Sequence, residues 1–123
     1  MPEQTPTILV VDDAPANIDV VKSILSDTYL IQAAVNGNVA LKIAEKRKPD
    51  LILLDIMMPG MDGFEVCKAL KADARTADIP VIFVTGKDQE SDESKGLSLG
   101  AIGYITKPVN SSELKEKIAD ALG

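Results

Sequence analysis

Four short apolar runs in this chain each end in a residue able to take part in chemistry. Thr7-Ile8-Leu9-Val10-Val11 runs into Asp12-Asp13, and Asp50-Leu51-Ile52-Leu53-Leu54 runs into Asp55. Val81-Ile82-Phe83-Val84 ends in Thr85, and Tyr104-Ile105-Thr106 ends in Lys107. Runs this short, apolar at consecutive positions and bounded by polar or turn residues, read as strands buried on both faces, the mark of a parallel sheet. Tyr29–Val35 is a weaker fifth strand, with small residues and Gln32 in it, and is expected at an edge.

Helical spacing fills the intervals. Ile18, Val21, Ile24 and Leu25 share a face behind Pro15, which suits a first turn. Val39, Ala40, Ile43 and Ala44 form a second stripe between Asn36-Gly37 and Pro49, and Phe64, Cys67 and Leu70 a third. Leu114, Ile118, Ala121 and Leu122 form the last, and Asn110 with Glu113 resembles a capping box. The stretch from Asp88 to Leu99 is the weakest helix, being polar and carrying Gly96, which costs about 1 kcal/mol relative to Ala. Five repeats of strand then helix predict an α/β fold: one doubly wound domain, a parallel five-stranded sheet with helices on both faces.

In such a sheet, ligands bind beyond the carboxyl ends of the strands. That rule gathers Asp12, Asp13, Asp55, Thr85 and Lys107. Crowded carboxylates repel one another and burial raises their pKa, for which a hard divalent cation such as Mg²⁺ is the usual remedy. Lys107 offers a positive point charge for a phosphate oxygen, and Thr85 a hydroxyl donor. An Asp can act as nucleophile and become an aspartyl phosphate, so the set suits phosphorylation of Asp55. Singly, each residue has an ordinary structural reading: Asp13 as a cap for the helix near Pro15, Lys107-Pro108 as a turn. The loop Ile56-Met57-Met58-Pro59-Gly60-Met61-Asp62-Gly63 is shaped by one Pro and two Gly.

Composition narrows the chemistry further. None of the 123 residues is histidine, which excludes His-dependent hydrolase triads, His-ligated zinc or haem, and an internal phosphohistidine. The lone Cys67 excludes an internal disulfide and reads as a small core hydrophobe. A net charge of −6 argues against nucleic-acid or anionic-membrane binding as the main task. Tyr29, Phe64, Phe83 and Tyr104 are all the aromatics, so the core is expected to be aliphatic. No apolar run approaches the ~20 residues of a membrane span, and Met1–Pro6 lacks the pattern of a signal peptide, so a cytoplasmic location is expected.

These stretches, with Gly100-Ala101 ahead of Tyr104-Ile105-Thr106-Lys107-Pro108, resemble the receiver domain of two-component response regulators from Ile8 to Leu122. The resemblance implies a flavodoxin-like (βα)5 fold with strand order 2-1-3-4-5, one receiver domain over residues 1–123 with its core at 7–122. It implies that Asp55 accepts a phosphoryl group from a phosphohistidine of a sensor histidine kinase or histidine phosphotransfer protein. Asp13, Asp55 and the backbone carbonyl of Met57 would ligate Mg²⁺, with Asp12 acting mostly through water. Thr85 and Lys107 would hold the phosphoryl oxygens, and the Lys107-Pro108 bond would be cis. The implied switch draws Thr85 inward and lets Tyr104 turn in from the surface to control a downstream protein or effector domain, with a weak homodimer as a further outcome of phosphorylation. Turnover of an external substrate is not expected. Gly86 stands where many family members have Ala, and Met57 and Lys87 stand at positions that tune loss of the phosphoryl group. Met57 cannot orient a water, which predicts a phosphoryl state lasting minutes or more. Two rival readings are a haloacid-dehalogenase-like phosphatase, which needs an Asp where Met57 stands, and an interaction module of the same fold that is not phosphorylated. Whether the chain is a free-standing receiver or part of a longer protein stays open.

Overall fold

Strands and helices alternate strictly along the chain. The computed structural model describes residues 5–86 and 90–122, with the order β1 (Thr7–Val11), α1 (Pro15–Leu25), β2 (Leu30–Ala34), α2 (Gly37–Arg47), β3 (Leu51–Leu54), α3 (Gly63–Ala72), β4 (Val81–Thr85), α4 (Glu90–Ser98), β5 (Gly103–Thr106) and α5 (Ser111–Leu122). Lys87 and Asp88, which the sequence reading singled out, lie outside the described residues.

All five strands pair in parallel in the order β2-β1-β3-β4-β5, the doubly wound arrangement that the resemblance implied. β2 sits at an edge, and its mixed burial explains its weak apolar signal. Alternate side chains of the central strands enter opposite cores. Leu9, Val11, Ile52, Leu54, Val81 and Phe83 pack against α2 and α3. Ile8, Val10, Leu51, Leu53, Ile82 and Val84 pack against α1 and α5. Burial on both faces is why these strands read as continuous apolar runs. Each fully buried aliphatic side chain contributes about 1.5–3 kcal/mol.

Local chemistry fixes where the helices begin. Asn36 caps α2 by accepting from the Val39 N–H at 2.9 Å. Asp62 and Glu65 form a reciprocal capping box on α3, which the sequence reading passed over. The expected box on α5 shows its first half: the Glu113 N–H donates to Asn110 Oδ1 at 2.9 Å. α1 corrects an expectation, because Ala14, not Asp13, occupies its N-cap position and no side chain caps it. The apolar stripe expected in α1 is buried at Ile18, Val21 and Leu25, with Pro15 in the first turn as read.

Candidate functional site

β1, β3, β4 and β5 all point their carboxyl ends to one edge of the sheet. The residues following β1 and β3 are Asp12 and Asp55, and the last residue of β4 is Thr85. They are 4%, 5% and 0% exposed, so three polar groups are buried at that edge. Asp13 is exposed, and one carboxylate oxygen each from Asp12, Asp13 and Asp55 lies within 4.8 Å of the others.

Lys107, one residue beyond β5, supplies the cation. Its Nζ donates to Asp12 Oδ2 at 2.9 Å and lies 3.7 Å from Asp55 Oδ2. Its backbone N–H donates to the Thr85 carbonyl at 2.7 Å, tying the loop after β5 to the end of β4. The Lys107-Pro108 bond is cis, as the resemblance implied. Thr85 faces the same side of β4 as Phe83, and Phe83 is the register partner of Tyr104. Tyr104 is half-buried against the α2–α3 core.

Asp12 is held from several directions. Its Oδ1 accepts from the Ala14 N–H at 2.9 Å and from Asn17 Nδ2 at 3.4 Å. Asp55 is less satisfied, with one long bond from the Met57 N–H to Oδ1 at 3.4 Å. Burial raises its pKa to about 6, and Asp12 and Asp13 add to the rise, while Lys107 and the Met57 N–H oppose it. A carboxylate whose charge is disfavoured by burial and by two neighbouring carboxylates suits a hard cation such as Mg²⁺. Receiver domains bind Mg²⁺ at an acidic cluster of this kind.

Asp12, Asp13, Asp55, Thr85 and Lys107 therefore meet at the carboxyl end of the sheet, with Met57 exposed beside Asp55, while Tyr104 lies further back along β5 as the partner of Phe83. Two supporting groups were missed. Asn17 carries no signal apart from its place in the first turn after Asp12. Gly63 carries one, as a glycine in a shaped loop, but its reason is spatial. A Cβ there would run into the Asp55 carbonyl oxygen and lie 2.7 Å from Ile56 Cα, so only glycine lets α3 start against the backbone that carries Asp55.

Residues 8–119 match the response regulator receiver domain, and the chain belongs to that family. It is 47% identical over 112 residues to a probable cyclic di-GMP phosphodiesterase of Vibrio cholerae, covering 91% of this chain and 25% of that protein. Protein PilH of Pseudomonas aeruginosa is 42% identical over 112 residues, covering 90% of this chain and 93% of PilH. The crystal structure of chemotaxis protein CheY4 of Vibrio cholerae superposes with a TM-score of 0.91 at 30% identity, covering 97% of this chain and all of that one. The chain thus spans a quarter of one relative and nearly all of another. Receiver domains act with histidine kinases and effector domains. No helix among the described residues is long and apolar enough to cross a membrane.

Proposed function

We propose that this receiver, with its core at residues 7–122, takes a phosphoryl group onto Asp55 from a phosphohistidine of a sensor histidine kinase or histidine phosphotransfer protein in the cytoplasm. An Asp55 carboxylate oxygen attacks phosphorus, the P–N bond to the imidazole breaks, and the electron pair stays on the imidazole nitrogen. The observation that carries the reading is the Lys107 ammonium, placed within reach of both Asp12 and Asp55 beside a third carboxylate. That arrangement holds a nucleophile next to a cation that can meet the phosphoryl oxygens. With a pKa of about 6, Asp55 is largely ionised at neutral pH and available to attack.

Asp13, Asp55 and the Met57 carbonyl would hold Mg²⁺ directly and Asp12 through water, and the ion would offset charge on the phosphoryl oxygens. The Thr85 hydroxyl and Lys107 ammonium bind those oxygens. Thr85 moving toward them opens space on the face it shares with Tyr104, whose turn inward remodels the surface read by a partner or effector. The chain turns over no external substrate.

Incubation with acetyl phosphate and Mg²⁺ tests this. One phosphoryl group should be gained, as read by intact mass, and the gain should vanish in Asp55→Asn. Sustained release of phosphate over many equivalents would point instead to the phosphatase chemistry that Met57 disfavours. No mass gain, together with no Mg²⁺ binding at millimolar concentration, would leave an interaction module.

A further inference from the structure

Helix α4 meets the sheet in an unusual way. A Cβ on Gly96 would lie 2.7 Å from Cδ2 and 2.8 Å from Cε2 of Phe83, closer than real Cβ atoms come to a neighbour. The ring has little room to retreat. Phe83 is fully buried and stands edge-on to Phe64, with centroids 5.4 Å apart and planes at 63°. Lys95 Nζ lies 4.6 Å from the Phe64 ring centroid, a contact worth about 0.5–1 kcal/mol at an exposed site. Among the described side chains of α4, from Ser94 to Ser98, Gly96 alone is buried. Over its described side chains the helix therefore rests on the sheet through backbone against a ring, where most helices use an apolar stripe.

The position of that ring gives the contact its meaning. Phe83 lies two residues before Thr85 on one face of β4 and is the register partner of Tyr104. Both residues of the proposed switch adjoin the ring that carries α4. Through Phe64 the same ring also touches α3.

We propose that Gly96 and Phe83 form a seat that sets the position of α4 and couples it to Thr85 and Tyr104. The proposal rests on the receiver reading above. The glycine that weakens α4 by about 1 kcal/mol in helix propensity is then required by close approach, since any side chain lifts the helix off the ring.

Amide hydrogen exchange on the whole chain, with and without Mg²⁺ and beryllofluoride as a phosphoryl mimic, tests the seat. In the unsubstituted protein the mimic should change exchange both at residues 55–58 and at Leu97–Gly100. Gly96→Ala should speed exchange at Leu97–Gly100 by about tenfold, leave β1 and β3 unchanged, and abolish the response of α4 to the mimic. Adding Phe83→Leu removes the colliding ring atoms and should restore both properties. Should Gly96→Ala fail to fold, Phe83→Leu alone takes the ring from beneath Gly96 and should loosen α4 in the same measurement. Exchange at Leu97–Gly100 that stays within about twofold in whichever variant folds overturns the seat, as does a double variant that restores nothing. A mimic that alters residues 55–58 but never α4 overturns the coupling alone. A mimic that alters neither region overturns the receiver reading and the coupling with it.

Discussion

The ammonium of Lys107 stands 3.7 Å from Oδ2 of Asp55, although the strands that carry them, β5 and β3, are not neighbours. β4 lies between them. The contact exists because both side chains project beyond the sheet edge, where a long lysine stem can reach across the intervening strand.

That contact predicts the titration of Asp55. Lys107 lowers its pKa against the larger effect of burial. Lys107→Met should therefore move the Asp55 midpoint above about 6, read from its carboxyl-carbon shift by NMR in metal-free buffer. Phosphorylation by acetyl phosphate should fall about 100-fold or more, the scale for losing one preorganised charge-stabilising group. An unmoved midpoint would detach Lys107 from the site.

Stability should depend on pH with a definite sign. Asp55 binds its proton more tightly folded, at about 6, than at its ordinary value of 3.8. The native state then holds more protons between those values, so this group's contribution to stability falls as pH rises through that window. Metal-free Asp55→Asn should be more stable than the parent above pH 6, and the advantage should fade as pH falls toward 4. Thermal midpoints by circular dichroism across that range would show it; a constant advantage contradicts it.

Mg²⁺ should act on the same balance. At ten times its dissociation constant it should stabilise the fold by about 1.4 kcal/mol, a rise of a few degrees in Tm. Chelation should reverse the gain. Asp13→Asn should remove most of the response to Mg²⁺ while barely changing metal-free stability, because Asp13 is exposed. Calorimetric titration with MgCl2 measures the binding and thermal unfolding in chelator the metal-free stability, and an Asp13→Asn protein that binds as the parent does would exclude this carboxylate from the metal site.

Gly63→Ala should be costly despite its small size. The added carbon meets the backbone of Asp55 and Ile56, which cannot yield as a side-chain tip can. A loss of about 2 kcal/mol or more is expected in urea unfolding, with weakened Mg²⁺ binding in the remaining folded protein. Gly60→Ala is a useful contrast: nothing lies within 4 Å of its added Cβ, so any cost there comes from its positive φ of 78°.

Asp62→Ala removes one half of the capping box on α3 and should cost about 1 kcal/mol. Glu65→Ala should cost less, because only its bond back to the Asp62 N–H is lost. Urea midpoints at unchanged slope would record both.

The parts of the fold legible in the sequence were those set by composition along one strand. Leu51–Leu54 has no polar position because both faces are covered, and Asp55, still buried, is the first polar residue after it. The site followed, since parallel strands deliver their last residues to one edge. Close approaches between distant segments were hidden. Gly63 against Asp55 and Gly96 against Phe83 look in sequence like a turn and a helix weakness. Asp62 and Glu65 were readable at their spacing but masked by the Pro and Gly around them. Asp13 looked like a cap, yet the helix enters one residue later through Ala14, which leaves the Asp13 carboxylate exposed within 4.8 Å of Asp12 and Asp55.

The order of the charged groups along the chain has a consequence for biosynthesis. Asp12, Asp13 and Asp55 leave the ribosome well before Lys107, and β5 completes the edge of the sheet opposite β2. A nascent chain folded only through β4 would hold the converging carboxylates without the lysine that pairs with Asp12. Docking of β5 brings Lys107 to Asp12 and Asp55 in the same step that buries Ile105.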